Sequence, residues 1–96
     1  MPKGYWMARI KVTDPEQYEE YKKLSAPAVE ANGGRILVRG GRSETVEGVG
    51  RSRNVLIEFP SFQAALDAYN SPEYHKARAA RIGAADFDLT IVEGVE

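Results

Sequence analysis

One histidine, several arginines and a group of aromatic rings are the side chains of this sequence with the most chemistry to offer. His75, as an imidazole, is a candidate general base or haem ligand. With one histidine no HxxxH, HxH or HExxH spacing exists, so no dedicated metal site is expected. Without an orienting partner, the simplest role for His75 is a part-exposed helical residue. Arg39 precedes Gly40-Gly41 and is the second catalytic candidate, because a guanidinium can hold a carboxylate or enolate in bidentate fashion. Its structural alternative is an inter-strand or inter-subunit ion pair with Glu58. Arg81 falls on an otherwise apolar helical face with Tyr74, Ala77 and Ala84. It would either line a pocket between helix and sheet or reach Asp86 or the C-terminal carboxylates. Tyr5, Trp6, Tyr18, Tyr21, Tyr69 and Tyr74 offer rings with polar tips, suited to a small aromatic or polyketide-like ligand. The same rings are also how a small core gains area. The ligand-binding candidates are Tyr5, Trp6, Arg39, Tyr74 and Arg81. Glu58 and Asp88 would make an acid–base pair if desolvated together, but Arg9 and Arg39 nearby favour ordinary ion pairs. No GxxxxGK[ST] or GxGxxG stands between a strand and a helix, so a phosphate loop is excluded.

The elements that must position these groups are legible in the periodicity. Tyr5–Val12 alternates, with Trp6, Ala8, Ile10 and Val12 on one face. Asp14-Pro15-Glu16 opens a helix, with Asp14 as N-cap and Pro15 at the first helical position. Tyr18, Tyr21, Leu24 and Ala28 recur at helical spacing. Pro27 predicts a kink, or a restart after Ser25. Asn32-Gly33-Gly34 stops the helix. Arg35–Arg39 is a second strand, with Ile36 and Val38 on its apolar face. Gly40-Gly41 predicts a bulge or bend, after which Ser43–Val46 would resume pairing. Arg53–Phe59 is a third strand. Ser61-Phe62 and Ser71-Pro72-Glu73 open two further helical segments, the second running to about Ala84. Phe87–Val92 is the last strand. The order βαββαβ repeats one supersecondary unit and is the ferredoxin-like pattern, an α+β fold with a four-stranded antiparallel sheet in the order 4-1-3-2.

Composition fits one domain spanning residues 1–96. The chain is 43% hydrophobic and 28% charged, as in ordinary globular domains. There is no cysteine, no membrane-length apolar run and no secretory signal pattern, so a cytoplasmic location is expected, with no membrane partner. The net charge of −1 gives no general attraction to nucleic acid, although Arg35, Arg39, Arg42, Arg51 and Arg53 cluster mid-chain. RNA-recognition domains share the βαββαβ order. They stack bases on aromatics of strands one and three, and strand three here offers Asn54, Leu56 and Glu58, so an RNA-binding module is the last-ranked alternative and no nucleic-acid partner is expected.

In this topology the helices cover one face of the sheet. The other face would carry Tyr5, Met7, Arg9, Leu37, Arg39, Leu56, Glu58, Asp88 and Val92, with Asn54 and Thr90. That set is too apolar for a face left in water and reads as an interface. Arg9 would pair across strands with Glu58 and Asp88. The expected partner is a second copy of this chain, the two sheets closing into a barrel and protecting the Arg35–Val46 edge.

Six segments carry a family resemblance: Gly4-Tyr5-Trp6, Gly33-Gly34-Arg35, Arg39-Gly40-Gly41, Glu58-Phe59-Pro60-Ser61, Ser71-Pro72-Glu73-Tyr74 and Val92-Glu93-Gly94. Together, in this order and spacing, they resemble the domain-of-unknown-function family thirteen-thirty, within the dimeric α+β barrel superfamily. The resemblance implies a ferredoxin-like subunit that dimerises through its sheet, and it implies no particular activity. The wider superfamily includes cofactor-independent monooxygenases, haem-degrading enzymes, lactone isomerases and stress-responsive dimers. The expectation is therefore a homodimer that binds a small organic molecule, with no bound cofactor, and converts it in an oxygenase-like or isomerase-like reaction. The alternative is a non-catalytic stress or scaffold dimer.

Overall fold

The computed structural model describes all 96 residues. Their order is β1 (Gly4–Val12), α1 (Pro15–Ala31), β2 (Arg35–Arg39), β3 (Arg53–Phe59), α2 (Phe62–Tyr69), α3 (Pro72–Arg81) and β4 (Ala85–Glu93). The strands form one antiparallel sheet in the order β2-β3-β1-β4, as the repeat predicts. Each helix starts on the cap its sequence announces. Asp14 accepts from the Gln17 N–H at 3.2 Å, Ser61 from Ala64 at 3.0 Å, and Ser71 from Tyr74 at 3.2 Å. No helix is long and apolar enough to cross a membrane.

The helices lie on one face of the sheet, over a single cluster of fourteen buried residues. Trp6 ties the layers together: its indole N–H donates to the Ala65 carbonyl in α2 at 2.8 Å. Its ring meets Tyr74 at 4.7 Å and Phe59 at 5.2 Å. Beside it Gly4 lets β1 approach α2 at backbone distance. A methyl group there would collide with the Ser61 carbonyl oxygen and lie 2.7 Å from the Phe62 Cα.

Four sequence expectations are corrected. Pro27 neither kinks α1 into two elements nor restarts it; the helix is continuous from Pro15 to Ala31. Ala28, on the α3 side, and Val29, toward the sheet, are buried just after it, and keeping that burial outweighs one missing N–H. The α3 helix ends at Arg81 rather than near Ala84, because Ile82 is already extended (φ −60°, ψ 123°). Ser43–Val46 does not resume pairing: residues 40–52 contain no strand. Gly40 donates the last edge bond, to the Asn54 carbonyl at 2.8 Å, and then takes a positive φ of 65° that turns the chain away. The bulge falls not at Gly40-Gly41 but between Ile36 and Val38. Ile36 opposes Ile57, Val38 opposes Leu56 and Arg39 opposes Val55. The extra residue, Leu37, advances the alternation by one, so Val38 faces outward and Arg39 faces the helices.

Candidate functional site

The sequence candidates divide among three places. The first is a cavity between α1 and the sheet. Tyr18, Tyr21, Ser25 and Val29 follow one another down the inner side of α1 at spacings of three and four. They face Ile36, Val55 and Ile57 across the gap. The cavity encloses about 40 Å³, and thirteen of its seventeen lining residues are hydrophobic. Trp6, Tyr74 and Arg39 are the sequence candidates it brings together.

Its polar groups sit at two levels. At the inner end the Tyr21 and Tyr74 hydroxyls lie 2.8 Å apart. The pair consumes one of its two hydroxyl hydrogens and leaves the other to donate to a guest. Burial, reinforced by the neighbouring Tyr74, pushes the Tyr21 phenol far above its ordinary range. Burial also raises Tyr18, while the positive charge of Arg53 pulls the other way. Both phenols are therefore neutral donors at physiological pH. Toward the solvent stand Lys22, Arg39 and Arg53, the only charged residues of the lining. Lys22 is occupied by Glu19, which accepts from its ammonium at 2.9 Å. That bond holds the Glu19 carboxyl below its ordinary value. Arg53 lies over the Tyr18 ring, its guanidinium carbon 5.6 Å from the centroid. Arg39 and Arg53 take part in no ion pair.

The second place is an open groove of about 470 Å³ beside α3, which receives His75 and Arg81. His75 is exposed there. Arg81 reaches neither Asp86 nor the C-terminal carboxylates. Its guanidinium stacks on Phe87 at 3.9 Å and lies 5.6 Å from the Tyr21 centroid. Phe87 and Leu89 form a wall shared with the cavity. Neither residue meets Arg39, so the two catalytic candidates are on different sites.

The third place is the outer sheet face. Tyr5 lies here, opposite Glu58 and Val92, and does not line the cavity. Arg39 is absent from this face and Val38 is added to it, both through the bulge. The expected ion pairs also change. Glu58 meets Lys3 at 3.8 Å, and Asp88 meets Arg51 at 3.2 Å. Arg9 instead donates to the Val49 carbonyl at 3.2 Å, and Arg51 donates back to the Arg9 carbonyl. The 40–52 segment thus engages the Arg9 end of the face. Met7, Leu37, Val38 and Val92 remain exposed, between 38% and 45%.

Sequence pattern alone undervalues Tyr18, Tyr21, Lys22 and Arg53. A signal exists for Arg53: strand alternation sets it on the same face as Val55, Ile57 and Phe59, an arginine closing an apolar row.

A family model for a domain of unknown function, DUF1330, matches residues 3–95. The chain belongs to this family. Among solved structures, a protein of unknown function from Rhodopseudomonas palustris superposes with a TM-score of 0.76 at 20% identity, covering 99% of this chain and 84% of that one. A candidate antibiotic biosynthesis monooxygenase from Caulobacter crescentus CB15 has a TM-score of 0.66 at 27% identity, over 99% and 92%. A dimeric ferredoxin-like protein of unknown function from Thermobifida fusca YX has 0.64 at 13% identity, over 96% and 91%. No curated protein matches in sequence. This DUF1330 chain therefore has an α+β, ferredoxin-like fold.

Proposed function

We propose that this DUF1330 protein, as one domain over residues 1–96, forms a homodimer through the outer sheet face. In each subunit it binds a small, largely apolar organic molecule between α1 and the sheet. The observation that carries the binding half is the cavity itself: an apolar chamber whose inner end presents an unused hydroxyl hydrogen from the Tyr21–Tyr74 pair. Such a chamber with few convergent polar groups is the usual form of a small-molecule site. Its 40 Å³ limits an unadjusted guest to a few non-hydrogen atoms, so a larger ligand must displace α1 from the sheet. The outward row Met7, Leu37, Val38, Leu56 and Val92 and the dimeric Thermobifida neighbour support the assembly half. The Caulobacter neighbour lends weight to an oxygenase-like conversion in the same chamber.

The non-catalytic alternative draws on a specific observation. No histidine or carboxylate lines the cavity, and its phenols are held neutral, so the chamber supplies hydrogen-bond donors and no general base. A guest would be held and polarised there, with any proton removed by a reagent of its own.

Native mass spectrometry of protein purified without added ligand, followed by an NMR titration with the uncharged probe benzamide, tests both halves. The expected result is a dimer, with benzamide shifting the amides of Ser25, Val29 and Val55. A monomer overturns the assembly, and a cavity that ignores benzamide overturns the binding.

A further inference from the structure

The bulge at Leu37 places a guanidinium where regular alternation would not. Under unbroken alternation Arg39 would face outward with Leu37. With the bulge, Arg39 opposes Val55 and joins the cavity lining. Arg53 extends the same face from β3 and packs its guanidinium against Gly40. Two arginines from adjacent strands therefore stand at one end of an apolar chamber. No acidic residue lines that chamber, and neither arginine has an ion-pair partner. The Nε of Arg53 is buried with no hydrogen-bond partner at all. Glu19, whose carboxylate feels the charge of Arg53, is already bonded to Lys22. A buried donor left without an acceptor costs free energy, and a surface cation needs no chamber beside it.

We infer that the ligand of this cavity is an organic acid: a compact aromatic or unsaturated body carrying one carboxylate or enolate. The acidic group lies on Arg39 and Arg53, and the body lies among Tyr18, Tyr21 and Val29. Guanidinium groups suit this task because their planar N–H pairs match a carboxylate. The tyrosine pair at the far end then receives an acceptor oxygen on the body. This inference rests on the cavity as a ligand site and adds the charge of the guest.

Benzoate and benzamide have nearly the same shape and differ in charge, so the two readings can fail separately. In parallel NMR titrations benzoate should bind on the order of tenfold tighter than benzamide, with both shifting the amides of Ser25, Val29 and Val55. Arg39 is exposed and unpaired, so Arg39→Gln should fold normally. It should bring the benzoate Kd close to that of benzamide and leave the benzamide Kd unchanged. Equal affinities of the wild-type protein for the two probes overturn the acid assignment and leave the apolar-ligand reading standing. The acid assignment falls equally if Arg39→Gln leaves the preference for benzoate intact, or if benzoate shifts only the His75 groove. Shifts with neither probe overturn both readings.

Discussion

The two βα units of this chain repeat one pattern, yet α2 sits tightly on the sheet while α1 stands off it. Around α2 and the buried side of α3 the contacts are close. Ala65 and Ala77 are fully buried, Gly4 brings β1 against the Ser61 backbone, and Trp6, Phe59 and Tyr74 interlock. Across α1 the same sheet face meets long side chains, Tyr18, Tyr21 and Lys22, that stand the helix off and leave the cavity. Small residues draw layers together, and large ones with polar tips hold them apart. The α3 helix serves both sides of the contrast: it borders the open groove and lends Tyr74 to the cavity.

The contrast can be broken on a single strand. Gly4 and Ala8 lie on the same face of β1, one under each half. Gly4→Ala must push backbone against backbone and should cost about 3 kcal/mol in urea unfolding at fixed protein concentration. Next in size is Tyr21→Phe, which leaves the Tyr74 hydroxyl without its partner and should cost about 1.5 kcal/mol. That variant also has a pH signature. The fold holds Tyr21 and Tyr18 protonated beyond the ordinary value of 10.0. Above about pH 10 the unfolded chain releases protons that the folded chain keeps, so stability falls as pH rises. Below that pH the contribution is fully present. Tyr21→Phe should flatten the alkaline decline of the denaturation midpoint; an unchanged slope would mean the phenol is not buried as described. The smallest effect belongs to Ala8→Val, whose two added methyl groups enter about 40 Å³ of existing space and should change stability by less than about 1 kcal/mol. If Ala8→Val costs as much as Gly4→Ala, the two halves are equally packed and the cavity is closed in solution.

Much of this is legible in the residues. Trp6, Ala8 and Ile10 declare the inner face of β1, and Asp14, Ser61 and Ser71 declare three helix starts, because alternation and capping are local effects. The site is less legible for equally physical reasons. Arg35-Ile36-Leu37-Val38-Arg39 has three apolar residues in a row, so either phase of alternation fits it. The choice between them is made by pairing with β3, at Leu56 and Val55, which is a tertiary matter. Tyr18 and Tyr21 read as core, and they are core. Only the length of the side chains opposite them shows that the core is incompletely filled.

The extra residue in β2 acts like a frameshift, read in space instead of in codons. Upstream of Leu37 the strand presents one set of side chains to the helices, and downstream it presents the other. Were the bulge ironed out with Leu37 kept in the ladder, Val38 would pass to the chamber and Arg39 to the opposite surface together. Along this edge, what the protein offers a guest and what it offers a second subunit are written in overlapping frames, and neither text can be shifted without rewriting the other.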